Sequence, residues 1–99
     1  MKNDSFFLNL ADFFKVFGDG TRLKIISALI DKELSVNEIA KIAIICKSNT
    51  SHQLRILRDK KLVKYRKKGK SILYSLDDEH IKMIFDIGLL HIKEGKNNE

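Results

Sequence analysis

Four side chains near the end of the chain have the types and spacing of metal ligands: Asp78, His80, His91 and Glu94. Imidazole nitrogens and carboxylate oxygens together form a donor set suited to tetrahedral zinc, with cobalt or nickel as chemical alternatives. Eleven residues carry a helix through about three full turns, so His80 and His91 share nearly one face. They also stand ~16 Å apart along the axis, too far for one ion with bonds of ~2 Å. A single helix therefore closes no site. Two copies laid antiparallel about a two-fold axis can, because His80 of one then meets His91 of the other. Asp78, at the non-helical start, can converge on its own His80, and Glu94 shares the face of His91. The arrangement gives two N2O2 sites per pair. Taken singly, each residue has an ordinary role: Asp77 or Asp78 as a helix cap, the others as surface side chains. Their combination at this spacing is what points to a metal.

A second constellation lies mid-chain. Lys47-Ser48-Asn49-Thr50-Ser51-His52-Gln53 is a turn and a half of polar side chains with no apolar residue. A helix that inserts its N-terminal end into a DNA groove needs this, since its first residues meet base edges while its far side packs on the core. Serine hydroxyls and glutamine amides can read groove edges, and Lys47 can reach guanine or phosphate. The charge agrees. The chain carries +6 overall, but residues 47–70 hold ten basic side chains against Asp59 alone, a local +9, while residues 1–46 balance and residues 71–99 are acidic. Such a concentration, Arg55, Arg66, Lys67, Lys68 and Lys70 included, is the footprint of a phosphate-binding surface rather than of a merely solvated face.

These residues must be positioned, and the periodicities say how. About Ser5–Phe17, apolar residues Phe6, Phe7, Leu10, Phe13, Phe14 and Phe17 recur at helical spacing, with Ser5 as N-cap and Gly18 as stop. So aromatic a face needs cover, from its own core or from a second subunit. A second helix is expected over about Thr21–Asp31. Ser35-Val36-Asn37-Glu38 opens a third as a capping box. After a turn at Ala43–Cys46, a fourth spans about Lys47–Lys60, with Leu54 and Leu57 on its core side; the two make a helix-turn-helix. The period then changes to two. Val63 and Tyr65, then Ile72, Tyr74 and Leu76, flank the lysine-rich tip Lys67–Ser71, which reads as a basic β-hairpin wing. A last helix over about Asp78–Lys93 is apolar on too wide a face to stand exposed, and Gly88 would let two such helices approach closely. Gly95–Glu99 is expected to fray. The fold class expected is mainly α with a β-hairpin wing: one winged helix-turn-helix domain over residues 1–94.

Residues 47–76, KSNTSHQLRILRDKKLVKYRKKGKSILYSL, resemble the recognition helix and wing of the ArsR/SmtB family of metal-sensing repressors. Residues 17–26, FGDGTRLKII, are similar to the start of that family's second helix, with Gly20 where the family usually has proline. Glycine there should soften the helix start without changing the fold. The resemblance covers about residues 8–94. It implies a homodimer through the first and last helices, each protomer presenting one recognition helix and wing to a roughly palindromic operator. The zinc-sensing members have Asp-x-His followed eleven residues on by His-x-x-Glu or His-x-x-His, the pattern of Asp78, His80, His91 and Glu94. The expected behaviour is operator binding without metal and release with it.

Other classes fit less well. No apolar run approaches the ~18 residues of a membrane span, and no signal-peptide pattern opens the chain. A single cysteine, Cys46, allows no internal disulfide and fits a reducing cytoplasm. It also makes a thiolate-rich metal site unlike this chain, so Cys46 reads as a small turn or core residue. Ser51 and His52 are adjacent on a helix and point apart, which argues against an enzyme. The rivals are a repressor of the same fold answering to another signal or to none, and a winged-helix module for protein or RNA contacts.

Overall fold

The computed structural model describes residues 4–97 and contains five helices and one two-stranded sheet. In chain order these are α1 (Asp4–Phe17), α2 (Gly20–Ala28), α3 (Val36–Ala43), α4 (Lys47–Asp59), β1 (Val63–Lys68), β2 (Ser71–Leu76) and α5 (Glu79–Asn97). The expected mainly α architecture with a hairpin wing is therefore the one observed. Helix α1 already includes Asp4, so Ser5 lies inside its first turn instead of capping it.

Local chemistry sets the boundaries. Asp19 caps α2 by accepting the Arg22 amide at 3.0 Å, and Gly20 is its first helical residue. α2 ends at Ala28, three residues short of the expected Asp31, and Asp31 itself sits at φ +56°. The capping box at α3 is complete: Ser35 Oγ accepts the Glu38 amide, and Glu38 Oε1 accepts the Ser35 amide at 2.9 Å. The helix-turn-helix turn depends on Ile44 at φ 56°, ψ 56°, which aims its amide, and that of Ile45, at the Ala40 carbonyl. A β-branched residue in this left-handed region is strained, yet Ile44 is 88% exposed.

The core gathers Ile25 and Ile26 of α2, Leu29 at its C-cap, Ile39 of α3, and Leu54 and Leu57 of α4. Val16 closes it from α1, Leu62 and Val63 from the foot of the wing, and Ile81 from α5. β1 and β2 pair antiparallel from Val63↔Leu76 to Lys68↔Ser71, leaving a two-residue loop in which Gly69 takes φ +61°. Positive φ at the first loop position suits glycine and keeps the strand twist. The sheet is pinned to the helices by a pair of bonds between Leu34 and Tyr74, amide to carbonyl in each direction at 2.9 and 2.7 Å. The helix α5 runs on through Gly95 to Asn97, so the first part of the expected frayed tail is helical; residues 98–99 lie outside the described residues.

Candidate nucleic-acid interface and metal-ligand helix

The polar start of α4 is mostly presented outward. Lys47, Ser48, Ser51, His52 and Arg55 are exposed, while Asn49 and Gln53 are half-buried. Thr50 is the exception. It is fully buried, and its hydroxyl donates to the Cys46 carbonyl at 2.9 Å. Thr50, Leu54 and Leu57 follow i, i+4, i+7 spacing, so helical geometry places Thr50 on the core face and removes it from the outward set. The sequence already held this signal, but a threonine reads as polar or apolar with equal ease.

Gln53 is braced from behind. Arg22 Nη1 donates to Gln53 Oε1 at 3.3 Å, and Gln53 Nε2 reaches Asn49 Oδ1 at 3.4 Å. Arg22 is itself held by Nε donating to the Val16 carbonyl at 3.0 Å. Arg22 thus ties α1 and α2 to the outward face of α4, a positioning role that spacing alone did not reveal. At the head of α4, Cys46 occupies the cap position without a side-chain cap bond. Its exposed thiol lies 3.5 Å from Ser48 Oγ. That hydroxyl, with the Asn49 and Ser48 amides, pulls the thiol below its ordinary pKa.

On the wing, Lys67, Lys68 and Lys70 surround the exposed tip. Arg66 differs from them: its guanidinium makes a two-pronged contact with Glu33, Nε to Oε2 at 2.6 Å and Nη2 to Oε1 at 2.8 Å. The pairing pulls the Glu33 carboxyl below the usual carboxylate range and pushes Arg66 up. Arg66 therefore fastens the wing to the α2–α3 connection.

At the other end of the molecule, Asp78 does two things. Oδ1 accepts the His80 amide at 2.9 Å, closing the first turn of α5, and Oδ2 stands 3.3 Å from His80 Nδ1. The cap role and the convergence on His80 are thus compatible. His80 is 79% exposed in its side chain, and His91 and Glu94 are exposed farther along the same helix. Among the described residues of one chain, no group of three or more His, Cys, Asp or Glu side chains is placed to hold a metal ion. The helix that carries these candidate residues also leaves Met83, Ile87, Leu90 and Ile92 exposed, and α1 leaves Phe7, Leu8 and Phe14 exposed. A Cβ at Gly88 would meet nothing within 4 Å, so nothing inside one chain requires glycine there.

A polar, basic helix beside a basic hairpin on a three-helix core defines a winged helix-turn-helix regulator. The pattern of the bacterial regulatory protein, arsR family, matches residues 19–65. The chain is 41% identical over 88 residues to a cadmium resistance transcriptional regulatory protein CadC homolog of Staphylococcus aureus, covering 88% of this chain and 73% of that one. It is also 41% identical over 85 residues to a transcriptional repressor SmtB homolog of Synechocystis, covering 86% of this chain and 64% of the relative's length. The chain belongs to the arsR family of regulatory proteins. In fold it superposes on the homodimeric winged helix-turn-helix domain of Mb0332 from Mycobacterium bovis with a TM-score of 0.88, covering 99% of this chain and 94% of that one at 23% identity.

Proposed function

We propose that this protein is a cytoplasmic homodimeric repressor that binds double-stranded operator DNA and is released by zinc or a similar divalent cation. One observation carries the metal part: the Asp78 carboxylate is already turned onto the His80 ring, at the start of a helix that bears His91 and Glu94 about three to four turns further on. A carboxylate against an imidazole both offers an oxygen donor and holds the ring in place. The donor chemistry fits zinc, cobalt or nickel, provided that a second α5 brings its His91 and Glu94 to the first copy's Asp78 and His80. When bound, the cation would supply an electrostatic cross-link between the two final helices.

The chain's own residues supply the rest. The exposed apolar faces of α1 and α5 are the surfaces a second copy would bury, since patches of this kind seldom stand open to water. Such a dimer presents two α4 helices and two wings. Ser48, Asn49, His52 and Gln53 would meet base edges, while Lys47, Ser51, Arg55, Lys67, Lys68 and Lys70 would contact phosphates. The spacing between the two α4 helices is set by the α1/α5 interface, so whatever fixes the α5 pair fixes the fit to DNA. Linkage then makes the effect mutual, with a coupling of typically ~1–3 kcal/mol.

The test is His91→Ala. The variant should bind the operator as the native protein does and lose its release by zinc; release that persists would refute the metal mechanism. Undetectable cation binding with intact operator binding would instead identify a repressor of the same fold answering to another signal.

A further inference from the structure

We propose that the crease between α4 and the wing is a dedicated seat for one DNA backbone phosphate, with Arg58 as its principal cation. This rests on the DNA-binding reading and deepens it. A cleft of about 170 Å³ lies there, lined by Ser51, Leu54, Arg55, Arg58 and Tyr74. Ser51, Arg55 and Arg58 fall at i, i+4 and i+7, one stripe of α4 turned toward the sheet. Leu54 is its buried floor.

Arg58 is positioned instead of free. Its guanidinium carbon sits 5.3 Å from the centre of the Tyr65 ring, and Tyr65 in turn packs on its cross-strand neighbour Tyr74, ring centres 5.8 Å apart. A guanidinium over an aromatic face keeps its in-plane N–H donors available. The adjacent carboxylate, Asp59, is 3.8 Å away, beyond hydrogen-bond length. The cleft therefore brings Arg55 and Arg58 together with Ser51 beside the Tyr74 side chain, and guanidinium and hydroxyl groups commonly bind phosphate oxygens. Arginine also matches a phosphate in two-pronged fashion.

Duplex geometry says which phosphate this is. A helix in the major groove and a wing in the neighbouring minor groove are separated by one sugar-phosphate strand. The crease between the two elements must lie against that strand. Seating it there would fix the angle between helix and wing, which neither the lysines at the tip nor the base-facing residues can do.

The experiment uses full-length protein and a duplex that it enriches from a random-sequence library. Affinity is measured across a range of salt concentrations for the native protein and for Arg58→Gln. Each neutralised phosphate contributes about 0.9 to the slope of log affinity against log salt, so the variant dimer should be shallower by about 1.8. Affinity should drop about tenfold or more, and preference over a scrambled duplex should stay within about twofold, because phosphate contacts carry no sequence information. A single methylphosphonate walked along the duplex should weaken the native protein at several backbone positions, and Arg58→Gln should become indifferent at one of them in each half-site. An unchanged slope, or a variant that still responds at every position, overturns the phosphate seat. A native protein without steep salt dependence overturns the DNA-binding reading itself.

Discussion

At the residue scale, the head of α4 makes two predictions that separate outward side chains from inward ones. Cys46 is exposed and hydrogen-bonded to Ser48, so its thiolate should form at lower pH than that of an ordinary cysteine. The pH profile of iodoacetamide alkylation measures this, and Ser48→Ala should move its midpoint upward; a profile indifferent to Ser48 would contradict the assignment. Thr50 behaves oppositely. Valine fills the same volume, and the Cys46 carbonyl keeps the Thr50 amide at 3.0 Å, so Thr50→Val should change stability by no more than about 1 kcal/mol. It should also select the same DNA sequence from a random library, whereas an altered base preference would put Thr50 back on the outward face. The outward residues were legible from their polarity. Thr50, and the brace that Arg22 gives Gln53, needed three dimensions because each depends on which way a side chain faces.

At the element scale, the turn carries one strained residue and the wing one two-pronged ion pair. Ile44 pays for its left-handed backbone without gaining burial. Ile44→Gly should therefore stabilise the helix-turn-helix by about 1 kcal/mol, raising Tm by roughly 4–8 °C in a domain of this size. A lower Tm would show that the exposed side chain makes a contact in the assembled protein. The wing is held by Glu33 and Arg66. Because the folded-state pKa of Glu33 is depressed, the stability it lends is present above the ordinary glutamate range and is lost as pH falls through the depressed value. Protection factors along β1, corrected for the intrinsic exchange rate at each pH, should fall in acid, and Glu33→Gln should remove that step; an identical pH profile in the variant would mean the ion pair does not hold the wing. Element types were readable throughout, because the capping box, the change of period from 3.6 to 2, and the glycine at the hairpin tip are local signals. The end of α2 was not. Asp31, Ile44 and Lys61 all take positive φ without being glycine or asparagine, so residue type did not mark those turns. The tail expected to fray from Gly95 is helical as far as Asn97.

At the scale of the whole molecule, one chain leaves apolar faces on α1 and α5 that the core does not use. Ile87 is 66% exposed on α5. Ile87→Glu should leave the core folded and shift the protein from dimer to monomer in sedimentation, since burying each such side chain contributes ~1.5–3 kcal/mol; an unchanged mass would exclude α5 from the interface. The four candidate ligands were legible as a pattern because helical rise forbids one chain from using them together. Under the proposed function, their meeting requires a pair of chains. The most direct measurement is a titration of the metal-free protein on its operator, with and without a slight excess of zinc. Tight binding that zinc strongly weakens is the predicted result. Tight binding that zinc leaves unchanged would contradict the account and remove Asp78, His80, His91 and Glu94 as a switch.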